Sequence, residues 1–121
     1  MKKKKESPNG EDVYELQANI CSALASPVRL KILDILGDGE KNFGDLLEEL
    51  QIPKANLSQH LSVLKDAGIL NTRKEGLFQY VSVALPKVKD ACFLVKNILL
   101  EKMAMDEKKN SELMKKLRAK R

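Results

Sequence analysis

The sequence predicts a mainly α-helical fold with one small β-hairpin, in the order α-α-α-α-β-β-α. Three observations carry that prediction. Apolar residues recur at helical spacing early in the chain, as at Val13, Leu16, Ile20 and Leu24. Residues 69–83 turn instead to aromatic and β-branched content around a glycine. The composition, 43% hydrophobic and 32% charged with no tryptophan, belongs to a globular chain with an aliphatic core. At 121 residues the chain fits one domain with a single core.

Residues 1–10, MKKKKESPNG, combine charge, Pro, Asn and Gly and are expected to form a disordered basic tail. The first amphipathic helix is expected over 11–25. Ser26-Pro27 restarts the chain, because Ser is a good N-cap and Pro suits the first helical position. The second helix, 27–36, carries Val28, Ile32, Leu33, Ile35 and Leu36, and Gly37-Asp38-Gly39 ends it. Asn42 caps a third helix at 43–51, with Phe43, Leu46, Leu47 and Leu50 as its apolar stripe.

Ile52-Pro53 turns the chain sharply into a fourth helix at 54–67, which Gly68 closes as a left-handed cap. Strands follow at 69–74 and 78–83, joined by Glu75-Gly76-Leu77, with Gly76 supplying the positive φ of the turn. Pro86 opens the last helix, expected over 87–104. Residues 11–104 are thus expected to form one winged domain, and 105–121 a basic C-terminal extension, helical or frayed.

The net charge is +5. The basic residues gather at Lys2–Lys5 and at Lys115, Lys116, Arg118, Lys120 and Arg121. Such runs are first of all solvated termini, and secondly a source of sequence-independent attraction to phosphate. No run of 18 apolar residues exists, so no membrane span is expected. The basic N-terminus lacks an apolar core and does not read as a secretion signal. Two cysteines far apart make no secreted disulfide framework, so a cytoplasmic protein with reduced thiols is expected.

Residues 54–83, KANLSQHLSVLKDAGILNTRKEGLFQYVSV, are the most informative stretch. An amphipathic helix running straight into a hairpin with a basic first strand is the pattern of a winged helix-turn-helix. In that fold a helix enters the DNA major groove and a hairpin flanks it. At 100° per residue, Leu57, Leu61 and Leu64 share the core face. Ala55, Gln59 and Ser62 fall opposite, with Asn56 beside them and Ser58 and His60 on the two flanks.

This outward set is small and polar, suited to hydrogen-bonding base edges. Lys54, Asn56 and Gln59 are the expected base readers, Ser58 and His60 the backbone or edge contacts, and Ser62 a further DNA-binding residue of the outward set. Arg73 and Lys74 are the expected wing contacts to phosphate or minor groove. The partner is therefore double-stranded DNA. A winged-helix module binding protein or RNA is the alternative, which the polar outward set and basic wing oppose. An enzyme is not expected: the chain has no phosphate-binding glycine loop, paired catalytic carboxylates, or His beside a nucleophile.

Three segments, ALASPVRLKILDIL at 23–36, LSQHLSVLKDAGIL at 57–70 and RKEGLFQYVSV at 73–83, together resemble the ArsR/SmtB winged-helix repressors. The resemblance covers residues 14–103. It implies a homodimer joined through the first and last helices, holding a repressed operon until an inducer releases the operator. The residues point to a dimer independently. Val88, Ala91, Cys92, Val95, Ile98, Leu99 and Met103 stripe the last helix, and the first helix has its own stripe. A chain this size with short helices between them leaves both in want of cover. A two-fold dimer sets its recognition helices about 34 Å apart, matching a palindromic operator.

The metal-sensing relatives carry a C-x-C in the third helix, replaced here by GEKNFGDLLEEL at 39–50. Their last-helix site needs histidine, and this helix holds Asp90 and Glu101 without one. The single histidine, His60, belongs to the recognition helix. No metal at those sites and no cofactor is expected. Cys21 and Cys92 remain, read either as small buried hydrophobes or as a thiol switch or soft-ligand site between the first and last helices. The inducer stays unnamed.

Overall fold

The computed structural model describes residues 10–119, so the expected tail falls almost wholly outside the described residues. The described residues form two compact units, divided between Leu85 and Pro86. The first unit holds α1 (Gly10–Ala23), α2 (Pro27–Leu36), β1 (Glu40–Asn42), α3 (Phe43–Leu50), α4 (Lys54–Asp66), β2 (Leu70–Glu75) and β3 (Phe78–Val83). The second holds α5 (Lys87–Ala104) and α6 (Glu107–Ala119).

Side-chain caps set the starts of α2 and α3. Ser26 Oγ accepts from the Arg29 amide at 3.3 Å, with Pro27 in the first turn. Asn42 Oδ1 accepts from the Asp45 amide at 2.8 Å. At the end of α4, Gly68 (φ +80°) donates to the Lys65 carbonyl and Ile69 to the Leu64 carbonyl. That pair of bonds is a Schellman motif, and both Ile69 and Leu64 are fully buried. Between α3 and α4, Gln51 takes a left-handed φ of 56° and donates to the Leu47 carbonyl, so the helix-turn-helix corner needs only three residues.

The core of the first unit is aliphatic, as composition implies. Ile32 of α2, Leu46 of α3, Leu57 and Leu64 of α4, Ile69 and Val81 of β3 are all fully buried. Each such side chain contributes about 1.5–3 kcal/mol over leaving it in water. Because they come from α2, α3, α4, the turn after α4 and β3, they fix the angle of α4 against α2 and the sheet.

The sequence reading missed one element. β1 is a third strand, pairing antiparallel to the outer edge of β3 in the order β1-β3-β2. Glu-Lys-Asn has no apolar alternation, and its three residues are strand only because β3 offers an open edge. The hairpin is also tighter than read: Glu75 pairs with Phe78, leaving Gly76-Leu77 as a two-residue loop. Gly76 at φ +63° sits at the first loop position, where a II′-type turn requires positive φ.

In the second unit α5 packs against α6, with Val88, Met103 and Met114 buried. A break at Met105-Asp106 separates the two helices. Leu94, Val95 and Ile98 are each 61% exposed, so the middle of the α5 stripe has no cover. On α1, Val13 and Leu16 are likewise 51% and 59% exposed. Among the described residues no helix is long and apolar enough to cross a membrane.

Candidate nucleic-acid interface

Leu57, Leu61 and Leu64 turn one face of α4 inward and thereby fix what the opposite face presents. Lys54, Asn56, Ser58, Gln59 and Ser62 are exposed, and His60 is half-buried. Pro53 precedes the helix without a side-chain cap; the Asn56 amide donates to the Pro53 carbonyl at 3.0 Å, and the Lys54 and Ala55 amides are left for an external acceptor. His60 Nδ1 lies 3.0 Å from the Arg29 guanidinium of α2.

Ser58 and Ser62, one turn apart, face the wing. With Leu61, Lys65, Phe43, Thr72 and Gln79 they line an open cleft of about 170 Å³ between α4 and the sheet. The expected set on α4 therefore divides in two: Lys54, Asn56 and Gln59 outward, Ser58 and Ser62 along the groove toward the hairpin.

Strand alternation separates the two wing cations that sequence reading had paired. Lys74 sits opposite Gln79, on the sheet face that carries Thr72 and lines the cleft. Arg73 sits opposite Tyr80 on the other face. Its Nε and one terminal nitrogen donate to Glu40 at 2.8 and 2.9 Å, and the other terminal nitrogen donates to Glu75 at 2.7 Å. The guanidinium also lies 4.5 Å over the Tyr80 ring, which packs 6.3 Å from Phe78. These bonds, Glu40 first and then Glu75, raise the Arg73 pKa further, while Arg73 holds the Glu40 carboxyl below its ordinary value. Arg73 thus ties β2 across β3 to β1.

That constraint was hidden in the sequence, because Glu40 lies 33 positions from Arg73 and belongs to the strand that reading missed. The one available signal was the neighbouring Glu75. Arg29 was missed as well; only a contact across 31 positions reveals it.

Cys21 is exposed on α1 and Cys92 half-buried on α5; both are free, and they belong to different units. Burial pushes the Cys92 thiol up, with the Lys96 charge acting weakly the other way. Among the described residues no three His, Cys, Asp or Glu side chains gather as a metal site.

A three-residue helix-turn-helix corner, a polar outward helix face and a hairpin stiffened beside it define a winged helix-turn-helix regulator. The family model described as bacterial regulatory protein, arsR family, matches residues 26–72. The HTH-type transcriptional regulator Rv0081 of Mycobacterium tuberculosis is 32% identical over 90 residues, spanning 74% of this chain and 79% of that protein. Its crystal structure superposes with a TM-score of 0.70 at 28% identity, covering 84% of this chain and 98% of that one.

The transcriptional repressor SdpR of Bacillus subtilis is 36% identical, over 60% of this chain and 81% of its own. The homodimeric winged helix-turn-helix DNA-binding domain of Mb0332 from Mycobacterium bovis matches with a TM-score of 0.69 at 28% identity, over 80% and 90%. The chain belongs to the ArsR family of bacterial regulatory proteins. It is a DNA-binding transcriptional regulator, a member of a family of regulators rather than enzymes.

Proposed function

We propose that this protein is a homodimeric repressor that reads a two-fold symmetric operator in the cytoplasm and leaves it on an inducing signal. The observation that carries the reading is the outward face of α4: Lys54, Asn56 and Gln59 are exposed at the end of the helix that reaches deepest into a major groove. Asn and Gln donate to and accept from adenine in a bidentate pair, and Lys54 beside the uncapped helix start meets phosphate. Ser58, Ser62 and His60 serve the flanks. Lys74 supplies the wing's phosphate contact, and Arg73 stiffens the wing through Glu40.

The exposed apolar residues of α1 and α5 support the dimer, since a monomer leaves Val13, Leu16, Leu94, Val95 and Ile98 in water. Repression is the sign the relative SdpR carries in its name. Steric exclusion of polymerase needs nothing beyond tight operator binding. For the input, Cys21 is the accessible thiol and Cys92 the shielded one, and a thiol-directed inducer acts first on Cys21.

The test is a binding titration against the duplex upstream of the protein's own gene, with light scattering for subunit number. Binding as a dimer that weakens steeply with salt is the expected result. Absence of any shift at low salt, or an equal preference for RNA, overturns it.

A further inference from the structure

We propose that Arg29 locks His60 into its Nε2–H tautomer, so that the flank of the recognition helix offers a neutral N–H donor to a DNA phosphate oxygen. This rests on the DNA-binding reading and assigns a role to a residue of α2 that lies outside the recognition helix.

Arg29 is held before it meets His60. Its backbone amide donates to Ser26 Oγ, and its Nε donates at 2.6 Å to the carbonyl of Ala23, the last residue of α1. A terminal guanidinium nitrogen then stands 3.0 Å from His60 Nδ1, and the contact is part-buried. A guanidinium has donors only. The atom it meets must therefore present a lone pair, so Nδ1 is unprotonated and the ring proton sits on Nε2. The alternative tautomer would set two N–H groups head to head, with Arg29 unable to turn away without losing Ala23.

His60 Nε2 has no hydrogen bond among the described residues. The ring lies on the flank of α4, one turn from Asn56 and between the buried leucine stripe and the outward base readers. Phosphates are met from the flanks of a groove-bound helix, and base edges from its outward face. A phosphate oxygen is a pure acceptor, which suits a fixed donor and would repel a bare lone pair. The same geometry runs from the C-terminus of α1 through Arg29 to the recognition helix, so a shift at the end of α1 changes what His60 presents.

A neutral donor adds affinity without releasing counterions, unlike Lys54 and Lys74. Removing it should cost about tenfold per half-site, as for one hydrogen bond to a charged group. It should do so equally on operator and unrelated duplex, because a phosphate carries no sequence.

His60 is the only histidine in the chain, so its signals identify themselves. Long-range ¹H–¹⁵N spectra of the full-length protein, histidine-labelled and free of DNA, at about pH 8.5 where an ordinary imidazole is neutral, should show the Nε2–H tautomer. Arg29→Leu should lose that preference, and Arg29→Lys should restore it in part. A wild-type Nδ1–H tautomer, or one unchanged in Arg29→Leu, overturns the lock whether or not DNA binds.

The affinity arm uses two variants. The amide of Gln reaches the place of Nε2, and that of Asn the place of Nδ1. His60→Gln should hold affinity within about threefold, and His60→Asn should lose about tenfold per half-site on both duplexes, with the salt slope unchanged. Retention by Asn with loss by Gln makes His60 a partner for Arg29 alone and overturns the phosphate contact, as does a loss confined to operator. Absence of binding by wild type would count against the DNA reading, leaving the tautomer result standing.

Discussion

Replacing Gln59 with alanine should cut operator affinity sharply while leaving the fold unchanged. Gln59 is exposed, opposite the buried Leu57, Leu61 and Leu64, and its side chain makes no hydrogen bond among the described residues. Removing it opens no cavity and orphans no buried group, so stability should move by no more than about 0.5 kcal/mol. A bidentate amide–adenine contact is worth roughly 1–3 kcal/mol of discrimination. Two half-sites in a dimer double that to about 2–6 kcal/mol, or about 30-fold to about 20,000-fold in Kd.

The assay is fluorescence anisotropy with the protein's own upstream duplex and an unrelated one, at two salt concentrations, beside a thermal melt. The loss should be confined to the specific duplex. The salt slope should stay that of wild type, since no cation is removed. Lys54→Ala is the control with the opposite signature, a similar loss on both duplexes and a shallower slope. Equal losses on both duplexes for Gln59→Ala, or no loss at all, would refute the assignment of Gln59 to a base edge.

Leu57→Ala should destabilise the fold by about 2–5 kcal/mol, read as a lower urea midpoint, because its side chain is fully buried under α4. Gly76→Val forces a β-branched residue to φ +63° and should cost about 1–2 kcal/mol, with amide shifts confined to β2 and β3 and weaker DNA binding. Leu94→Glu with Ile98→Glu should yield a folded monomer by light scattering with much reduced operator affinity; a stable dimer would place the interface elsewhere. Iodoacetamide should modify Cys21 before Cys92. A raised thiol pKa leaves Cys92 less thiolate at neutral pH, so its rate should climb steadily as pH rises toward that pKa; faster labelling of Cys92 at pH 7 would refute this.

The helices and hairpin were legible because their signals are local. Ser26-Pro27 and Asn42 announce helix starts, Gly68 and Gly76 announce positive φ, and Leu57, Leu61 and Leu64 set the rotation of α4 by spacing alone. β1 was not legible. Its three polar residues have no pattern of their own and become strand only against β3, a pairing between positions 40–42 and 80–82.

The site divides the same way. Helical period and apolar burial are enough to tell the core face of α4 from its exposed residues, although only the folded sheet shows that Ser62 lines the cleft. What those residues and the wing are free to do depends on contacts that exist only in the folded protein. Strand pairing sends Arg73 to Glu40 and turns Lys74 toward the cleft, and the packing of α2 brings Arg29 to His60. The physical reason is range: periodicity and capping act within one or two turns of chain, whereas a guanidinium finds its acceptor only after the fold has brought distant positions within 3 Å.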